Sequence, residues 1–354
     1  MPMTLVGYLL GRVGRLARGR LRLSRGGLVT ASPAPPEQQS DAGDHSTAGA
    51  SEHLPRSFGE AMDDGSTTPD AAAGWLGGAF GVPSPRAGRP PGRYAVCRTC
   101  HGPAPEGLAS CWSCRRVRSQ LGGRTTSVVP LFFFSLGSAA HRALVGYKSA
   151  PSPTVRCAWC CRLEPMLAAF LDHHDRCLVG PGALSALIVP VPSTIGGRPS
   201  WGGRHPVGAL AQGALDRRHV NGAVGVDLRL AEVLRAGPVP PRRLEARAAG
   251  FEVIEGAADG LHGAAVVVVD DVFTSGARAL SAAATLRRAG AEVAAVVPIG
   301  RLVRPDHNAT AAAFWADCSR SPWHPGRCAA CGPSTATAVA YGSAPAAVVA
   351  RIAA

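Results

Sequence analysis

The sequence predicts an α/β fold: a mostly parallel sheet flanked by helices, preceded by a small cysteine-rich module. Three observations lead there. From residue 184 onward, short apolar runs alternate with segments of helical spacing, the rhythm of strand–helix–strand units. The run Val266-Val267-Val268-Val269 is apolar at every position, so both faces of its strand are buried, as in the middle of a parallel sheet. Cys97, Cys100, Cys111 and Cys114 form two Cys-x-x-Cys pairs separated by ten residues.

Composition sets the outer bounds. A chain of 354 residues with 46% hydrophobic content can bury a sizeable core. Its longest apolar stretch, residues 128–140, is broken by Pro130 and Gly137 and falls short of the ~20 residues of a membrane span, so no span is expected. The formal charge of +13 rests on 36 Arg and a single Lys, Lys148, and only Asn221 and Asn308 are asparagines. That is the codon bias of a GC-rich genome before it is a nucleic-acid footprint.

The elements follow in chain order. Residues 1–30 carry six Arg and no acid, and their apolar stretch at 5–10 is too short for a secretory signal. A disordered basic arm is expected, with an organelle transit peptide as the alternative. Residues 31–92 are rich in Ala, Gly, Pro, Ser and Asp without sustained periodicity and read as linker, with a small apolar knot at Trp75, Leu76 and Phe80. Order is expected from Tyr94, the cysteine module filling 93–125 and the α/β domain 126–305. Within the domain, helical spacing covers 141–148, and 184–191 is a buried strand. Residues 205–218 place Val207, Leu210, Ala211, Ala214 and Leu215 on one helix face. Strands are expected at 224–230, 251–254, 264–269 and 292–299. A helix at 277–289 ends with Arg287 and Arg288 in its last turn and Gly290 beyond. Residues 306–354 lose the pattern and form a tail.

The chemistry concentrates after the four valines, in Asp270-Asp271-Val272-Phe273-Thr274-Ser275-Gly276. Unpaired buried charge is costly, so two adjacent carboxylates at the carboxyl end of a central strand point to a ligand, and ligands of open α/β sheets sit at that edge. Thr274, Ser275 and Gly276 make a tight hydroxyl-bearing turn into the following helix, whose free N–H groups and positive end suit a phosphate. Carboxylates beside a phosphate cradle call for hydroxyls on the ligand, such as those of a ribose. The plainer alternative is a capped helix with two solvated aspartates. No Gly-x-x-x-x-Gly-Lys-Ser/Thr occurs, which excludes a P-loop nucleotidase. Upstream, Ile188-Val189-Pro190-Val191-Pro192-Ser193 leads into a loop holding Gly196, Gly197, Arg198, Gly202, Gly203 and Arg204. Glycines let backbone approach phosphates and guanidinium groups grip them, although a flexible surface turn has the same composition.

Four thiolates from Cys97, Cys100, Cys111 and Cys114 close a tetrahedral sphere, so the module is expected to be a structural zinc ribbon, with redox thiols as the alternative. Cysteines in such pairs, without an export signal, fit a reducing cytoplasm. Cys157, Cys160 and Cys161 lie at helical spacing and read as small hydrophobes on one face, a second metal site being the alternative. Cys318, Cys328 and Cys331, with His324 or His307, are a further candidate zinc set in the tail.

The run from Val266 to Gly276 resembles the ribose-phosphate signature of type I phosphoribosyltransferases. Taken with the module at 97–114, Tyr147-Lys148 and Val189-Pro190-Val191-Pro192, it resembles the ComF competence-associated family of phosphoribosyltransferase-like proteins over roughly residues 94–300. The resemblance implies a type I phosphoribosyltransferase-like fold that binds 5-phosphoribosyl 1-pyrophosphate (PRPP) with Mg²⁺. It implies Asp270 and Asp271 as the catalytic pair on the ribose hydroxyls and Thr274, Ser275 and Gly276 on the 5′-phosphate. It also implies Ser193, Arg198, Arg204 and Lys148 on the pyrophosphate. The chain departs from the family pattern at Arg278, where a small or hydroxyl residue is usual, and at Gly203-Arg204-His205-Pro206, where Arg-Gly-Phe-Asn-Gln is expected. The arginine-rich patch before the acidic pair is thinned to Arg242, Arg243 and Arg247. The implied activity is transfer of ribose 5-phosphate to a nitrogen acceptor; the alternative is a non-catalytic PRPP-binding competence or DNA-uptake factor. PRPP is the expected partner, with a homodimer and contacts to nucleic acid or the DNA-uptake machinery left open.

Overall fold

The computed structural model of the chain describes residues 94–124, 126–192 and 205–333. The basic arm, the linker with its apolar knot, and Ser193, Arg198 and Arg204 of the Gly/Arg loop therefore lie outside the described residues. The cysteine module comprises β1 (Ala95–Val96), β2 (Pro103–Ala104) and α1 (Trp112–Gln120). There follow β3 (Ser127–Val128), β4 (Phe132–Phe134), α2 (Ala139–Ser149), α3 (Pro153–Val179), β5 (Ser185–Pro190), α4 (Pro206–Val220) and β6 (Asp227–Leu230). The remainder is β7 (Leu234–Ala236), β8 (Phe251–Val253), β9 (Ala265–Phe273), α5 (Ala277–Arg288), β10 (Glu292–Leu302), α6 (Ala309–Ser319), β11 (Arg327–Cys328) and β12 (Gly332–Pro333).

The main sheet has six strands in the order β3-β10-β9-β5-β6, with β4 also on β10, and every pairing is parallel. The four-valine strand is central. Val267 and Val269 point into a layer with Leu163, Met166 and Phe170 of α3 and Leu210 of α4. Val266 and Val268 point the other way, toward Leu280 and Leu286 of α5 and Val117 of α1. A strand covered on both faces has no polar side, and this is why its sequence shows no alternation.

Three expectations are corrected. First, β9 continues to Phe273, because β10 runs on to Leu302 and supplies partners through Pro298↔Asp270, Gly300↔Val272 and Arg301↔Phe273. The acidic pair thus sits within the last paired residues of the strand. Second, residues 251–253 leave the main sheet and pair antiparallel with β7 as a separate two-stranded ribbon. Third, the segment after residue 306 has structure of its own. Asn308 caps α6 by accepting the Ala311 N–H at 2.8 Å. Phe314 then packs edge-on against Tyr94 (5.4 Å) and Phe133 (5.1 Å), and Trp323 Nε1 donates to the Leu131 carbonyl at 3.0 Å. Among the described residues no helix is long and apolar enough to cross a membrane.

Candidate functional site

The strand end, the turn and the helix start form one continuous piece. Gly276 is the N-cap of α5 with φ 83°, and a Cβ there would lie 2.3 Å from Phe273 Cζ, so the turn requires glycine twice over. The Ala277 N–H reaches Ser275 Oγ at 3.4 Å, and the same hydroxyl donates to the Arg243 carbonyl. Arg242, Arg243, Asp270, Thr274, Ser275, Gly276 and Arg278 line a small cleft of about 50 Å³. A larger cavity of about 410 Å³ also borders Thr274 and Ser275, with Trp112, Arg304, His307 and Asn308 on its other walls.

The acidic pair is buried, Asp270 to 3% and Asp271 to 6% exposure, and the two carboxylates are not equivalent. Asp271 Oδ2 accepts from Lys148 Nζ at 2.5 Å and from the Tyr147 hydroxyl at 3.2 Å. Burial pushes its pKa up, but the Lys148 ammonium and Arg278 outweigh burial and hold it below the usual carboxylate range. No cation contacts Asp270 in this way among the described residues; its Oδ1 accepts the Asp271 N–H at 3.0 Å. Burial first, and the neighbouring Asp271 charge second, push it up to about 7.

The structure therefore brings Asp270, Asp271, Thr274, Ser275, Gly276 and Lys148 to one sheet edge. Lys148, which the resemblance assigns to pyrophosphate, contacts Asp271 in this structure. Tyr147, Arg278 and His205 join them, and none of the three was assigned a site role in the sequence. Arg278 donates to the Pro192 carbonyl at 2.6 Å, while its Nε is buried without a partner among the described residues. His205 is the N-cap of α4, and burial, aided by Lys148 and Arg278, lowers its pKa to about 4. Its Nε2 is likewise buried without a partner among the described residues. The residue pattern held one hint of Tyr147: it stands beside the only lysine.

The ligand atoms of Cys97, Cys100, Cys111 and Cys114 all lie within 4.8 Å of one another, and all four residues are buried. His101 takes φ 54° in the tight turn that brings Cys97 and Cys100 together. Hydrogen bonds among the thiols hold Cys97 and Cys100 below the usual thiol range and push Cys111 and Cys114 above it. A cation relieves such crowding by binding all four as thiolates, and an all-sulfur set fits a structural metal such as zinc. The module is also linked, through one side chain, to the turn that follows the acidic pair. Buried Arg301 of β10 donates to Cys100 Sγ at 3.6 Å and to the Phe273 and Thr274 carbonyls at 3.4 and 3.1 Å.

A second set of four is formed by His174, Cys177, Cys328 and Cys331. This corrects the set expected in the tail. Cys318 lies fully buried in the core on α6, His324 Nδ1 accepts the Gly326 N–H at 3.0 Å, and His307 lines the larger cavity. The missing ligands come from the carboxyl end of α3, some 150 residues earlier, as the 151-residue separation of Cys177 and Cys328 records. Cys160 is a buried hydrophobe of α3, with Cys157 and Cys161 exposed, and none of the three joins a metal-ligating group among the described residues. No protein-family model matches the chain, and no curated protein matches it.

Proposed function

We propose that this chain is a type I phosphoribosyltransferase-like protein of the ComF kind, which binds PRPP with Mg²⁺ at the carboxyl edge of β9 and transfers its ribose 5-phosphate to a nitrogen acceptor. One observation carries the reading: an acidic pair in the last turn-ward residues of the central strand, two residues before a glycine-dependent turn that opens a helix. Asp270 and Asp271 accept the ribose hydroxyls, and the N–H groups and hydroxyls of Thr274, Ser275 and Gly276 hold the 5′-phosphate. The idle Nε atoms of Arg278 and His205 supply donors for phosphate oxygens, with Ser193, Arg198 and Arg204 following in the loop. The carboxylates are hard oxygen donors of the type Mg²⁺ takes, and the ion, when bound, screens the pyrophosphate. In the transfer, the acceptor nitrogen bonds to the anomeric carbon as its bond to pyrophosphate breaks, and Asp270 and Asp271 orient the ring as cationic charge develops.

The first metal cluster is a zinc ribbon, residues 93–125 and 126–305 are its module and the catalytic domain, and the protein works in the cytoplasm. A non-catalytic PRPP sensor in DNA uptake is favoured by one feature, the prior commitment of Asp271 to Lys148. Calorimetry with PRPP and Mg²⁺, followed by a pyrophosphate-release assay across nucleobases, separates these readings. Binding with release for one base supports transfer, and binding without release for any supports the sensor. No heat at millimolar PRPP removes both.

A further inference from the structure

We infer that His174, Cys177, Cys328 and Cys331 hold a second zinc ion, which fastens the segment after α6 to the carboxyl end of the long helix α3. The inference stands apart from PRPP binding, because it rests on a different cluster.

Each half of the site is built as a chelate. On α3, His174 and Cys177 are three residues apart and share a face. In the later segment, Cys328-Ala329-Ala330-Cys331 forms a knuckle between β11 and β12, which pair through Cys328↔Gly332. The four ligand atoms lie within 4.8 Å of one another, with Cys177 Sγ 3.9 Å from Cys328 Sγ and Cys331 Sγ 3.5 Å from His174 Nδ1.

Two further contacts are those a metal site needs around its ligands. His174, only 1% exposed, places Nε2 at 2.7 Å from the Pro325 carbonyl. A carbonyl can only accept, so Nε2 carries the proton and Nδ1 keeps its lone pair, facing the sulfurs. The Ala330 N–H donates to Cys328 Sγ at 3.3 Å, a bond that stabilises a thiolate. Asp175, between the two α3 ligands, is engaged elsewhere: its Oδ2 accepts the Val226 N–H at 2.9 Å and pairs with Arg218 at 3.4 Å. The donor set is thus three sulfurs and one imidazole nitrogen. That set selects a thiophilic, tetrahedral cation and excludes Mg²⁺ or Ca²⁺, which demand oxygen.

This site differs from the first in exposure. All four thiols of the ribbon are buried, whereas Cys177 and Cys331 are exposed. The second ion should therefore be the first to leave under a chelator.

The full chain, purified with zinc under reducing conditions, should contain two zinc ions. Cys97→Ser/Cys100→Ser should remove one and Cys328→Ser/Cys331→Ser the other. A test without variants guards against misfolding: alkylation by iodoacetamide, read residue by residue by mass spectrometry. With zinc, Cys177 and Cys331 should resist labelling despite their exposure; after mild chelation they should label at least tenfold faster, ahead of the ribbon thiols. A single zinc per chain, lost entirely in Cys97→Ser/Cys100→Ser, would overturn the site. So would equal labelling of Cys177 and Cys331 with and without zinc, or a Cys177–Cys328 disulfide in protein kept reduced.

Discussion

The inequality of the two aspartates makes a sharp prediction: replacing each with asparagine should change stability in opposite directions. Asp270 titrates near 4 in the unfolded chain and at about 7 in the folded protein, where burial and the Asp271 charge disfavour its ionised form. Between those values the folded state retains a proton that the unfolded state releases, so stability falls as pH rises through the window, and the full penalty applies above about 7. A carboxyl carried from near 4 to about 7 loses at most roughly 4 kcal/mol as the charged form, so an effect of about 2–4 kcal/mol is expected. Asparagine removes the charge and keeps an Oδ1 that can accept the Asp271 N–H. Asp270→Asn should thus stabilise the ligand-free protein by about 2–4 kcal/mol at pH 8 and leave it unchanged near pH 4. Asp271 runs the other way. Its pKa is lowered by Lys148 and Arg278, so its contribution is present above the unfolded pKa and is lost as pH falls through the folded one. Asp271→Asn at pH 8 breaks the bond to Lys148, whose side chain is 27% exposed and can turn to water, a loss of about 1.5–3 kcal/mol. Urea unfolding of both variants at pH 4.5 and 8 measures this. Equal shifts for the two, or a stabilisation by Asp270→Asn that does not depend on pH, would refute the assignment of which carboxylate carries the proton. Both variants should also reduce the PRPP-induced rise in melting temperature.

Two further outcomes are expected. Gly276→Ala meets Phe273 at 2.3 Å in a left-handed conformation, so it should destabilise by about 1–3 kcal/mol and weaken PRPP binding, read by urea unfolding and calorimetry. Arg301→Met strips donors from the Phe273 and Thr274 carbonyls and from Cys100, and should destabilise by about 2–4 kcal/mol while speeding zinc release from the ribbon, read with a chromogenic chelator.

The parts of the fold legible in the sequence are those whose burial is one-sided or complete over a short run. The valines of β9 and the amphipathic face of α4 are examples. The long helix α3 fails that test. From Leu163 to Leu171 it is buried nearly all round, beneath α2, α4 and the sheet, so no stripe separates a wet face from a dry one. Pro165 inside it reads as a break, although the helix continues through it. In α6, Ala-rich sequence leaves only Ala311, Phe314 and Cys318 buried, too few to set a period.

The sites divide along the same physical line. Cys97 to Cys114 lie close in sequence, so spacing alone assembles their cluster. His174 and Cys177 meet Cys328 and Cys331 only because α3 spans one side of the sheet and the chain returns to it after α6. The acidic pair was visible as a motif, but its electrostatics were not, since the cation that separates the two pKa values arrives from α2. Arg301 joins the two sites physically. One buried guanidinium on β10 bonds the thiols of the ribbon and the carbonyls of the Thr274 turn. A metal that fixes Cys100 would therefore also steady the backbone of the Thr274 turn. A ribbon with no open coordination position can in this way still act on the site, by rigidity rather than by chemistry.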